Sequence, residues 1–317
     1  MIKLKIVISG IAVLFVPGGL AFAAFNDIGV GARPLGLGGA FVAMADDGNA
    51  AHYNAAGLGY IDKYQLSATY AQRFQGLVRY DYIGGILPLA AAGTLGLSIG
   101  ILSEESQVYD EQTIKLSYGK SFLQKFAFGV NLKSLGTRFD EENESVRANP
   151  YFAEKTDASA FSFDVGLLAK PVLGFSWGLS VENLLPADIS VSEAHEDKIP
   201  VNMRTGFAYS LEAIAETIAQ ESLREALKSS VGLLDFSIRD GNRQIHAGAE
   251  VWFNQSIGVR GGYAVSSGVN SAGAVVVGGS ARIPISEFNL QLDYAFQILT
   301  GNLENNTTQR ISLNVMF

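Results

Sequence analysis

The last seven residues, Ile311 to Phe317, constrain the fold more than any other stretch. Ile311, Leu313, Val315 and Phe317 share one face of an extended strand, and Arg310, Ser312 and Asn314 share the other. One greasy face, one wet face and a terminal aromatic suit a strand of a barrel in lipid. Phe317 would then sit at the aromatic girdle, and the strand would present the signal read by the barrel-assembly machinery.

The same alternation recurs upstream. Phe288, Leu290, Leu292, Tyr294 and Phe296 alternate with Asn289, Gln291, Asp293, Ala295 and Gln297; Phe126, Phe128, Val130 and Leu132 alternate with Ala127, Gly129, Asn131 and Lys133. A helix does not sort residues with this period. From Tyr64 onward about fourteen such segments are expected, an even number within the range of bacterial barrels. They lie near 63–74, 77–89, 93–102, 111–121, 124–138, 158–170, 172–182, 199–210, 231–240, 243–253, 255–265, 273–284, 286–297 and 306–317. With the first strand running outward, the longer connections 103–110, 139–157, 183–198, 266–272 and 298–305 fall outside and most of the tight ones inside, as in outer-membrane barrels. The fold class is therefore all-β, a transmembrane antiparallel barrel over 63–317.

The uncharged run Tyr82 to Ser103 is long enough for a helical span, but Gly84, Gly85, Pro88, Gly93, Gly96 and Gly100 interrupt it; two strands joined around Pro88 to Gly93 explain it better. One inside connection is long. Leu211 to Ser229 reads as an amphipathic helix, with Leu211, Ile214, Ala215, Ile218 and Leu223 on one side. Packing against the barrel mouth is its plain role, and partner docking the sharper one.

Residues 1–23 read as a signal peptide, with Lys3 and Lys5, the apolar run Ile6 to Val16 and Ala21-Phe22-Ala23 before a mature start at Ala24. Cysteine is absent, which removes disulfides and thiol chemistry. The net charge of −8 counts against a nucleic-acid partner. Acidic residues crowd into likely outer loops, notably Glu104 and Glu105, then Asp140, Glu141, Glu142 and Glu144, then Glu193, Glu196 and Asp197 beside His195. These read as solvated surface and lack the spacing of a dedicated metal site. No cofactor and no catalytic constellation is expected.

Residues 24–62 are glycine-rich without strand alternation and read as a compact, turn-rich segment. Gly36-Leu37-Gly38-Gly39-Ala40-Phe41 lacks both the final glycine and the preceding strand of a dinucleotide site. The stretches Gly31 to Phe41 and Ala45 to Leu58 together resemble the PorV/PorQ group of outer-membrane proteins, which belongs with the FadL-like long-chain fatty acid transporter barrels. Where members commonly carry Asn-Pro-Ala-Gly, this chain has Asn54-Ala55-Ala56-Gly57. The resemblance implies a fourteen-stranded barrel whose N-terminal segment folds inside as a hatch. Gly36, Gly38, Gly39, Asp46, Asp47, Asn49 and Asn54 are the candidate hatch or gate residues. It also implies either hydrophobic uptake or an accessory role in protein secretion.

If the apolar face meets lipid, the lumen receives Arg73, Arg79, Asp81, Lys115, Lys133, Asp164, Glu182, Arg204, Asp235, Arg239, His246, Glu250, Arg260, Arg282, Asp293 and Arg310. A mutually neutralising network holding the hatch is their plain role, and substrate contact the alternative. Gly96, Ser98 and Gly100 leave the inner face of the third strand nearly bare, which marks either a lateral opening or room for hatch side chains. Phe41, Val42, Met44, Tyr53 and Leu58 could supply an apolar pocket. Two functions follow: an outer-membrane channel for passive uptake of small hydrophobic molecules past a hatch, or a non-transporting adaptor barrel that docks secreted proteins. The expected partners are outer-membrane lipid and either hydrophobic cargo or secretion-system proteins.

Overall fold

The computed structural model describes residue 25 and residues 28–192, 196–267, 272–301 and 306–317. Fourteen strands close into one antiparallel barrel: β1 (Gln65–Arg73), β2 (Val78–Pro88), β3 (Thr94–Glu104), β4 (Tyr109–Phe122), β5 (Phe126–Phe139), β6 (Asp157–Val172), β7 (Phe175–Glu182), β10 (Asn202–Ser210), β11 (Ser230–Arg239), β12 (Asn242–Phe253), β13 (Ile257–Ser267), β14 (Ala272–Ile285), β15 (Phe288–Gly301) and β16 (Thr307–Met316). A two-residue ribbon, β8 (Ala187–Asp188) with β9 (Lys198–Ile199), stands in the loop after β7. Each strand pairs with its neighbour in sequence, and β1 closes on β16 from Gln65↔Met316 to Arg73↔Thr308. Closure leaves no sheet edge in lipid.

The two faces of each strand differ as alternation requires. On β16, Arg310, Ser312 and Asn314 are buried, whereas Ile311 and Leu313 are exposed. Large apolar side chains such as Ile83 and Phe161 are 61% and 69% exposed on the outer surface, which suits hydrocarbon and not water. Among the described residues no helix is long and apolar enough to cross a membrane. The ladder is regular except between Ala169 and Val172, where Pro171 has no N–H to give and the register shifts. Ile83 lies mid-strand between Ala68 and Ile99. Ile83→Arg should therefore destabilise the barrel by about 2–4 kcal/mol in lipid vesicles, measured by reversible unfolding.

Arg79 and Asp81 are corrections to the expected lumen set. They face outward near the loop end of β2 and pair with each other at 2.9 Å, while Tyr80 and Tyr82 occupy the inward positions. An outward charge close to the interface costs only about 0–1 kcal/mol, so the rule that sends charges inward fails at strand tips. Arg79→Ala should accordingly change stability by no more than about 0.5 kcal/mol in the same assay.

The expected single helix over 211–229 is two short helices, Glu212–Ala215 and Glu221–Lys228. Between them the Thr217 hydroxyl donates to the Ile214 carbonyl at 2.7 Å, a local bond that competes with helix continuation beside the β-branched Ile218. Ala215 is buried, and Ser229 donates to the Trp252 carbonyl at 2.5 Å, holding the pair of helices against the rim of β12. At the opposite end the loops are themselves packed: Ile189, Val191 and Ile199 cluster with Leu135, Phe139, Phe152 and Phe25. The expected signal peptide and His195 lie outside the described residues.

Candidate functional site

Residues 28–61 lie inside the barrel, and what holds them there starts with glycine. On the inner faces of β5, β6, β7, β12 and β13, glycines stand where the segment's backbone touches the wall. A Cβ on Gly129 would fall 2.1 Å from the Ala55 carbonyl carbon, on Gly178 2.3 Å from the Val42 oxygen, and on Gly262 2.0 Å from the Gly38 nitrogen. Only a residue without a side chain permits such approach. Gly38 and Gly39 themselves adopt φ of 67° and 87°, which turns the chain after the short helix Ala32–Gly36.

Arg33 is the centre of the charged contacts. Its guanidinium grips Glu250 of β12 with both oxygens at 2.7 and 2.9 Å, and reaches Asp46 at 2.7 Å and Asp47 at 2.8 Å in its own segment. Glu250 also meets Arg260 at 3.2 Å, and Arg260 meets Asp293 at 3.2 Å, so one chain of charge runs from the inner segment into three wall strands. Asp293 accepts further bonds from Gln291, Asn314 and Ser280, while Arg282 bonds Gln291 and lies over Trp252 at 4.3 Å. Arg33 was not among the candidate residues, although it is the only lysine or arginine between 24 and 62, a signal available in the sequence.

Other wall groups hold the segment by its backbone. Asp235 accepts the Phe41 and Val42 amides at 2.7 and 2.9 Å, and Arg310 donates to the Ile28 and Gly31 carbonyls. His246 Nδ1 lies 2.7 Å from the Gly38 oxygen, and Asn131 donates to the Ala51 carbonyl at 2.9 Å. Asn54 donates to Val42 and Leu167 carbonyls and caps the following 3-10 turn by accepting the Ala56 amide. Asn49 binds Asp47 within the segment. Lys133 and Asp164 pair at 2.5 Å, and Lys115 donates to His52 Nδ1 at 3.2 Å. Burial first, and then the Lys115 ammonium, hold the His52 imidazole well below its usual range, so it accepts as a neutral ring.

The remaining candidates separate. Phe41, Val42, Met44, Tyr53 and Leu58 are each no more than 9% exposed, and all but Val42 join one packed cluster, so they form a core and not an open apolar pocket. At Gly96, Ser98 and Gly100 the wall is continuously hydrogen-bonded to β2 and β4, with no lateral gap. Gly96 makes room for Leu58, and Gly100 for the Tyr80 hydroxyl. The apolar depression nearby, about 590 Å³ between Leu66, Ile83, Leu97 and Leu313, lies on the lipid side. On the outer side of the inner segment, a space of about 80 Å³ is lined by polar Lys115, Glu182 and Arg239 and by apolar Phe25, Ile28, Leu102, Leu135 and Ile199, too small to be a conduit.

A closed barrel with greasy outer walls and a lumen filled by its own N-terminal segment is a plugged β-barrel of the outer-membrane type. The chain belongs to the family of type IX secretion system membrane proteins PorP/SprF, whose pattern matches residues 49–313. The pattern that matches is that of PorP/SprF; the resemblance to the PorV/PorQ group rests on the N-terminal motif. No curated protein matches the sequence. In fold it is similar to the CymD monoaromatic hydrocarbon channel (TM-score 0.61, 11% identity, 92% of this chain and 98% of that one). It is likewise similar to a Pseudomonas aeruginosa FadL homologue (0.60, 12%, 90% and 97%) and to the Pseudomonas putida toluene transporter TodX (0.57, 12%, 91% and 97%). At such identities the likeness is one of fold alone.

Proposed function

We propose that this protein is a plugged, non-conducting barrel that serves type IX secretion at the outer membrane, docking secretion-system or secreted proteins. The observation that carries this reading is the manner of attachment of residues 28–61, through the buried Arg33–Glu250–Arg260–Asp293 chain and through backbone seated on wall glycines. A plug held this way resists displacement by a small apolar solute. The packing of Phe41, Met44, Tyr53 and Leu58 into one core, and the small size of the space above it, about 80 Å³, leave no conduit through the described residues. Membership of the PorP/SprF family supports the same reading.

Passive hydrophobic uptake is the second reading, favoured by the shared fold with hydrocarbon channels. Deletion in the native host separates the two. On the secretion reading, surface delivery of secreted proteins falls, toluene uptake is unchanged, and secretion components co-purify with the barrel after gentle detergent extraction. Loss of toluene uptake with normal secretion would overturn it in favour of the channel.

A further inference from the structure

Apart from the Arg33 network, a second cavity of about 250 Å³ lies between the inner segment and the wall of β1, β10 and β12–β16. Its charge is one-sided. Arg73, Arg204, Arg310 and His246 line it, and no aspartate or glutamate among the described residues does. Elsewhere in the lumen Arg33 and Arg260 each meet carboxylates within 3.2 Å. Of the cavity arginines, Arg204 reaches Glu182, outside the lining, at 3.8 Å, so the unbalanced charge is that of Arg73 and Arg310. Arg310, 1% exposed, spends its terminal nitrogens on the Ile28 and Gly31 carbonyls and keeps a buried Nε without a hydrogen-bond partner among the described residues. Arg73 meets no carboxylate among the described residues and lies over the Phe74 ring at 5.1 Å. Ala71 stands opposite Arg310, which makes Arg73 the diagonal neighbour of Arg310 on the same face, about 7–8 Å away. Like charges so placed in a low-dielectric lumen call for an anion between them.

His246 adds a polar feature. The Gly38 carbonyl can only accept, so Nδ1 is the protonated nitrogen and Nε2 is left as a buried acceptor without a partner among the described residues. Leu35, Phe74 and Leu299 give the rest of the lining an apolar character that an inorganic ion would not use.

We propose that this cavity binds a small organic acid. Its carboxylate is held by Arg73, Arg204 and Arg310, its short apolar body lies against Leu35, Phe74 and Leu299, and a hydroxyl, where the acid carries one, meets His246 Nε2. Planar guanidinium forks match a carboxylate bidentately. An anion there ties β1, β10 and β16 together beside Gly29 and Gly38 of the inner segment, whether or not the barrel conducts.

The test is calorimetric titration of the full mature chain in a non-ionic detergent with hexanoate, and separately with inorganic phosphate. Hexanoate should bind saturably at one site and more tightly than phosphate. Arg73→Gln, which breaks no ion pair among the described residues and gives up the contact with the Phe74 ring, should weaken hexanoate at least tenfold with unchanged circular dichroism and melting. Gln297→Glu, which places a carboxylate in the lining, should abolish binding while the barrel remains folded. Absence of saturable hexanoate binding, equal affinity in folded Arg73→Gln, or phosphate binding as tightly as hexanoate would each overturn the assignment.

Discussion

Glu250→Ala is expected to loosen residues 28–61 from the wall without opening the barrel. Glu250 is 2% exposed in its side chain and sits between Arg33, 8% exposed, and the fully buried Arg260, so its removal strips a partner from both. Breaking a buried pair from one side costs about 3–5 kcal/mol. Each arginine keeps another carboxylate, Asp46 and Asp47 for Arg33 and Asp293 for Arg260, so about 3 kcal/mol, the low end of that range, is the expected loss. It should register as new protease cleavage within 28–61 at a temperature where the strands remain intact. Arg33→Met with Glu250→Leu should lose less than the sum of the single changes, because the pair couples directly.

Gly129→Val should do more. Valine is a good strand former, so β5 itself tolerates it. Its Cβ, however, would fall 2.1 Å from the Ala55 carbonyl carbon and 2.2 Å from the Ala56 nitrogen, and the obstruction is backbone that has nowhere to go in a closed lumen. The cost should exceed the roughly 1–3 kcal/mol of ordinary overpacking, and the turn around Asn54 to Leu58 should lift off the wall. Gly136→Val on the same strand is the control. Gly136 faces the other way, its Cβ would come no closer than 3.7 Å to the Ala158 oxygen, and the variant should assemble and resist protease like the parent.

How much of this was legible in the sequence follows from what each signal measures. Strand alternation reports a difference between two solvents, and it is strong wherever a strand crosses hydrocarbon. All fourteen barrel strands accordingly fall on their expected segments, and inward Arg310, Asp293, Glu250 and Asp164 fall on the expected face. The signal fades at strand tips, where outward Arg79 and Asp81 cost little, and inward Tyr80 and Tyr82 look no different from lipid-facing aromatics. The helical periodicity of 211–229 was real, but it could not reveal that Thr217 turns back on Ile214. Apolar residues of the inner segment announce burial without saying whether they line a pocket or fill a core. Phe41 and Leu58 fill a core. The seat of the segment was the least legible feature, because it consists of side chains that are absent: Gly129, Gly178 and Gly262 became informative only once the closed sheet brought them against Ala55, Val42 and Gly38.

The central claim is that residues 28–61 close the lumen. Conductance in planar lipid bilayers tests it most directly, comparing the full mature chain with a variant in which 28–61 is replaced by a short Gly/Ser linker. The full chain should be electrically silent, and the linker variant should open steady, ohmic channels, since what remains is a fourteen-stranded barrel with a polar, water-accessible interior. Equal steady conductance from both proteins would contradict the account.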